Sequence, residues 1–207
     1  MIDFRSRESD KLLSEIIANR RILNLMNSTA PLDSEKRMTI FDIMGDLSMY
    51  GAANNFIDYI LLYSARYDIF ITRGSMYTSD IFYQFILIPQ GDYYERWHEL
   101  LKGDNSFIFG MKLVHKGMPE EMAVYFRNLH GNNKLIFMVD MDKYRDIFDE
   151  LVKQSHGYYY MADENGNILL TNDADGRFTD FVKENALEKG FLQKGDMLAI
   201  TEISSDN

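Results

Sequence analysis

The stretch Gln154–Asn172, QSHGYYYMADENGNILLTN, constrains the fold more than any other part of the chain. Two runs rich in aromatic and β-branched residues, Gly157–Met161 and Asn167–Thr171, flank Asp163-Glu164-Asn165-Gly166. Asn and Gly both tolerate positive φ, so Asn-Gly between two such runs predicts a tight hairpin. The run before it, Asp142–Lys153, has helical apolar spacing. A helix therefore feeds a hairpin, and only a helix around Phe178–Lys189 and a strand over Met197–Ile203 follow it. A sheet needs three or more strands and a covered face, so this C-terminal set is expected to meet that minimum only by leaning on the module before it.

Upstream, the pattern predicts a fuller version of the same order. Ser9–Met26 places Leu12, Leu13, Ile16, Ile17, Ile22 and Leu23 at helical spacing, with Ser9 as its N-cap. A second helix is expected over Ser34–Tyr50. From Asn55 the residues turn to Ile, Tyr and Phe, which favour strands over Phe56–Ser64 and Tyr67–Thr72, joined at Ala65-Arg66. Ser79–Ile88 reads as a short helix stopped by Pro89-Gln90-Gly91, and Asp92–Lys102 as another. Three strands follow, Phe107–Val114, Met122–Asn128 and Lys134–Asp140, separated by Gly117-Met118-Pro119 and His130-Gly131-Asn132-Asn133. The order predicts an α+β fold: a long N-terminal helix, then an antiparallel five-stranded sheet with covering helices, then a smaller partial second module. The expected divisions are an N-terminal helical segment over residues 1–54, a first module over 55–153 and a second over 154–207.

Charge narrows the partners. With 32 acidic and 22 basic residues the net charge is -10, which opposes binding to nucleic acid or to an anionic membrane surface. The chain has no cysteine, so disulfides, thiolate metal sites and cysteine nucleophiles are excluded together. No apolar run is long enough to span a bilayer.

Catalytic signatures are missing as well. The sequence has no His-Glu-x-x-His, no Gly-x-Ser-x-Gly, no Walker loop and no dinucleotide fingerprint. His98, His115, His130 and His156 lack metal-ligand spacing. Asp163, Asp173 and Asp175 invite a calcium loop. Setting Gly166 or Gly176 at its sixth position, however, puts Asn172 or Val182 where the closing Glu belongs. The reading from the residues is therefore neither an enzyme nor a cofactor protein.

The segment Asn55–Phe82, NFIDYILLYSARYDIFITRGSMYTSDIF, resembles the first sheet strands of double Cache sensor domains. These PAS-like extracellular modules belong to bacterial transmembrane receptors, and the resemblance is to those fused to AraC-type helix-turn-helix regulators. Leu62-Tyr63, Tyr67–Thr72, Gly74 and Tyr77–Phe82 follow the family's order of strand, turn, strand and aromatic-rich helix. Asp92–Lys102, Leu135–Asp140 and the Asp163–Gly166 hairpin continue that order. The resemblance implies a membrane-distal module, a partial membrane-proximal one, and transmembrane helices flanking the chain. It implies an extracytoplasmic domain of a cell-membrane protein.

Cache modules bind small molecules between the sheet and the segment that crosses it after the second strand. The resemblance places that segment at about Arg73–Asn105. The ligand-binding residues expected on this ground are Tyr63, Arg66, Arg73, Tyr83, Trp97, Tyr125 and Arg127. Rings give flat contact and Arg gives a fork for a carboxylate. Trp97 on an amphipathic helix also fits simple packing. Amino-acid-binding relatives carry Arg-x-Trp, whereas Arg96 and Trp97 here are adjacent and point about 100° apart on a helix. The expected partner is a small molecule, with amino acids and carboxylates as candidates, and the helix Asp10–Met26 is expected either to pair with a second copy of the chain or to cover its own sheet. The alternative expectation is a cytoplasmic PAS-like sensory or protein-interaction domain.

Overall fold

The structure is a computed structural model. It describes residues 11–84, 93–103, 106–115, 118–153, 157–162, 168–177, 179, 191–194 and 197–201. The expected Ser9 cap, the Asp163–Gly166 turn, His156 and nearly all of the helix expected over Phe178–Lys189 lie outside these residues. Two compact units divide at Met141/Asp142.

The first unit opens with α1 (residues 11–17) and α2 (Arg20–Met26), so the helix expected over Ser9–Met26 is interrupted. The cause is Asn19. Its backbone is extended, and its Oδ1 accepts from the amides of Arg21 and Ile22, which starts a new helix in mid-run. The Asn19 amide also donates to Asp46 at 2.9 Å and to Tyr50 at 3.2 Å, and Arg21 reaches Asp46 at 3.2 Å. These bonds fasten α2 to α3 (Ser34–Ala53), whose N-cap is Asp33. The longest described helix is thus α3.

The sheet comprises β1 (Tyr59–Ser64), β2 (Ile69–Ile71), β3 (Met76–Thr78), β4 (Ser106–His115), β5 (Met118–Asn128) and β6 (Lys134–Asp140). Its order is β3-β2-β1-β6-β5-β4, and every neighbouring pair is antiparallel. The five expected strands are all present, and β3 adds a three-residue edge that the sequence reading assigned to a turn and helix start. Between β3 and β4 the chain forms α4 (Ser79–Phe82) and α5 (Tyr93–Lys102) and passes from one edge of the sheet to the other. It then returns strand by strand until β6 pairs with β1, Leu61 opposite Ile136.

Side chains alternate across a sheet, so each strand contributes to both faces. Leu61, Phe70, Met122, Val124, Phe126, Ile136 and Met138 share one core with Phe82 of α4 and with Trp97 and Leu101 of α5. The alternate set, including Ile60, Leu62, Ile71, Leu135 and Val139, is also buried. Because α3 contacts the interior strand β1 and α4–α5 occupy the other face, the N-terminal helices cover this second face. Asn133, buried in the β5–β6 turn, holds them there. It donates to the Met26 carbonyl at 3.0 Å and accepts from the Ala65 amide at 3.0 Å. Gly131 in the same turn has φ +68, a conformation Gly adopts without a Cβ penalty.

The second unit holds α6 (Met141–Val152), β7 (Tyr158–Ala162), β8 (Ile168–Thr171), β9 (Phe191–Lys194) and β10 (Met197–Thr201). β7 and β8 pair antiparallel, with Met161 opposite Leu170 and a register shift before Ala162. The sheet order is β8-β7-β10-β9, and β10 runs parallel to β7. That pairing differs from the first sheet, where the returning strand β6 is antiparallel to β1. A small core forms around the Phe148 and Tyr159 rings, 5.1 Å apart.

Candidate functional site

The crossing segment covers a face made of rings. Tyr63 lies opposite Phe70 and Phe70 opposite Tyr77, so three aromatic residues form a row across β1, β2 and β3. Phe82 stacks on Phe70 at 4.0 Å and 17°. Trp97, fully buried, meets Phe126 edge-on at 4.8 Å and Phe82 at 5.9 Å. Such tilted and edge-on pairs are favoured by ring quadrupoles beyond their area of contact. Its indole Nε1 has no hydrogen-bond partner among the described residues. Tyr83 is buried beside it, with its ring 4.8 Å from that of His98. Half-buried Tyr59, Tyr63 and Tyr77 pack at the margin of this core.

Polar groups stand at both ends of the ring face. At one end the Tyr63 hydroxyl donates to Asp68 Oδ1 at 3.1 Å, and the Ser79 hydroxyl donates to the same oxygen. Asp68 closes the β1–β2 turn with φ 50, a left-handed conformation that Asp adopts more readily than most residues. Burial, reinforced by the Asp68 charge, pushes the Tyr63 hydroxyl up to about 12. At the other end burial pushes Tyr59 up to about 12, with Glu120, Asp58 and Asp140 adding to the shift and Arg73 opposing it. The charges of three carboxylates and one guanidinium therefore act on this one hydroxyl.

The seven expected ligand residues are split among four places. Tyr63, Tyr83 and Trp97 belong to the ring face, the latter two inside its packed core. Arg66 and Arg73 are exposed in two different turns. The Arg66 guanidinium donates to the Thr29 carbonyl, and neighbouring Tyr67 donates to the Ala30 carbonyl at 2.9 Å. Arg66 thus ties the hairpin to the α2–α3 loop. Tyr125 and Arg127 lie opposite Phe137 and Leu135 on the face away from Trp97, because Val124 and Phe126 occupy the ring face. Alternation put the two residues on one face as expected, but that face is the one under the N-terminal helices.

Sequence reasoning missed Lys134. It is 1% exposed, and its ammonium donates to the Gly103 carbonyl just after α5 and to Asn128 Oδ1. A cation there also complements the negative end of α5. Nothing local in LHGNNKLIF marks that lysine as buried; only the strand pairing places it beneath the cover. Tyr59 was missed for the same reason.

In the second unit an open groove of about 780 Å³ is lined by Asp146, Asp149, Glu150, Val152, Lys153, Gly157 and Asn172. No cluster of three or more potential metal ligands is present among the described residues. No described helix is long and apolar enough to cross a membrane. Comparison with family models, with curated proteins and with solved structures finds no match.

Proposed function

We propose that this chain is the small-ligand sensing region of a bacterial transmembrane receptor, built on a PAS-like module of the Cache type. The observation that carries the reading is the crossover. After three paired strands, a helical segment passes over an aromatic sheet face, and three further strands then return until β6 pairs with β1. The segment is tied to the sheet region at its start by the Ser79 amide, which donates to the Asp68 carbonyl, and at its end by Lys134, which donates to the Gly103 carbonyl. Between these ties its described residues join no strand ladder, which suits a ligand-operated element. In this reading the domain is extracytoplasmic, has no catalytic role, and is flanked by membrane-spanning helices that carry its response inward.

The ligand's place follows from where polar groups meet the ring face. The end at Tyr59, with Glu120, Asp140 and Arg73, favours a small molecule carrying an ammonium group, to which the carboxylates are complementary. Arg66, Tyr125 and Arg127 take no part in this version of the site.

A second reading, a PAS-like domain that senses through a partner protein, is favoured by the filling of the cover core with Trp97, Phe82 and Tyr83. One experiment separates the two. A thermal-shift panel of amines, amino acids, small carboxylates and sugars is measured on the purified chain. A ligand at a hundred times its dissociation constant adds about 2.7 kcal/mol of stability, enough to move the midpoint by several degrees. Stabilisation by an ammonium-bearing compound, weakened by Glu120→Gln, supports ligand sensing. A panel that shifts nothing sinks direct sensing in favour of the partner-protein reading.

A further inference from the structure

We infer that α3 is a self-pairing surface, and that two copies of this chain associate through it in antiparallel orientation. Among the described residues the large exposed hydrophobics are Met38 (66%), Phe41 (72%), Met49 (63%), Ile81 and Leu151. Three of the five lie on α3, within one exposed strip. Ile40, Ile43 and Leu47 point into the unit, while the outward line runs Met38, Phe41, Asp42, Gly45, Ser48, Met49 and Ala52. The middle of an exposed helix face is normally its most polar part. Here it carries one charge.

The strip is complementary to itself about Gly45. Turning a second copy end for end about that residue sets Phe41 opposite Met49 twice, Met38 opposite Ala52 twice, and Gly45 opposite Gly45. Large residues then meet flexible or small ones, as an isologous two-fold contact requires. A Cβ added at Gly45 would meet nothing within 4 Å, so the backbone is bare there and open to close approach. Charge selects the direction. In the antiparallel arrangement Asp42 faces the Ser48 hydroxyl, which donates a hydrogen bond to it. A parallel arrangement sets Asp42 against Asp42 and Phe41 against Phe41, with like charges at the centre of an apolar strip. Among the described residues the cation near Asp42 is the solvent-exposed Arg21, 3.9 Å away, which offsets little of such repulsion.

The helices earlier in the chain offer no such strip. Leu12, Ile16, Ile22, Leu25 and Met26 are buried within the unit, so the apolar face of Asp10–Met26 is already covered. The size of the α3 strip sets the strength of the contact. Met38 to Ala52 spans about 22 Å of helix, and a strip that long and ~10 Å wide buries less than the ~800 Å² per partner of a standard interface. The dimer is therefore weak and forms with rising concentration.

The absence of cysteine makes the test clean, since an introduced thiol is the only one present. Sedimentation velocity should show a monomer–dimer equilibrium, and Phe41→Glu should weaken it at least about tenfold. Its melting temperature should stay at the wild-type value, because Phe41 makes little contact within its own unit. Under mild oxidation Gly45→Cys should cross-link to itself. Met38→Cys should not, but it should cross-link when mixed with Ala52→Cys. A chain that stays monomeric at all concentrations overturns the proposal. So does a dimer indifferent to Phe41→Glu, or a Met38→Cys variant that cross-links to itself as readily as Gly45→Cys.

Discussion

Both faces of the first sheet carry buried residues, but they are built from different materials. The face under α1–α3 is mostly aliphatic, with Ile60, Leu62, Ile69, Ile71 and Leu135, and it is fastened by directional bonds from Asn19 and Asn133. The face under α4–α5 is made of rings bordered by hydroxyls, carboxylates and a buried lysine. Branched aliphatics interlock and resist sliding, whereas stacked rings keep contact over a range of offsets. On the proposed reading, the helix face fixes the fold, and the ring face is where a cover moves and a ligand acts.

The largest expected effects come from emptying either face. Trp97→Ala should cost about 4 kcal/mol and Leu62→Ala about 3 kcal/mol of unfolding free energy in urea melts. Both destabilise, yet they should part on ligand response: Leu62→Ala keeps the thermal shift of any hit, and Trp97→Ala loses it. Equal loss in both variants would erase the distinction between the faces.

Lys134→Ala should cost about 2 kcal/mol, because it leaves the Gly103 carbonyl and the Asn128 side chain without a charged donor. Hydrogen exchange in α5 should quicken while α3 stays protected. On the other face Asn19→Ala should cost about 1 kcal/mol through loss of the α2 cap. There the exchange change should be confined to α2 and its contact with α3.

The response to alkali reads both the ring face and the second unit. Tyr59, Tyr63 and Tyr159 are each held up to about 12 from an ordinary 10, so the folded protein binds their protons more tightly than the unfolded chain. Their contribution is complete below about pH 10 and is lost as the pH rises through about 12. Ultraviolet difference spectra should show a late tyrosine fraction, with melting temperature falling over that window. Tyr63→Phe should reduce the late fraction.

Much of this architecture was legible in local pattern. The strands around Leu61, Val124 and Ile136 announced themselves by composition, and the turn at His130–Asn133 by its Gly and Asn. The break at Asn19 was not, because the apolar spacing runs straight through it and only the extended backbone of the cap reveals the new helix start. Face assignment was the other gap. Tyr125 and Arg127 alternate with Val124 and Phe126, but which pair meets the cover depends on pairing with β6 and on the helices docked behind it. Apart from adjacent Asp58, the ionisable groups that act on Tyr59 come from β5, β6 and the β2–β3 turn, so no one window of sequence contains them. In the second unit the hairpin strands were readable, whereas the parallel return of β10 was not, since the order of strands in a chain does not state their direction in a sheet.

The most direct test of ligand sensing on the ring face is hydrogen–deuterium exchange with the best compound from the thermal-shift panel. Added protection should fall on β1–β3 and α5, leaving α3 unchanged. Protection confined to α1–α3, or a panel without any stabilising compound, would contradict it.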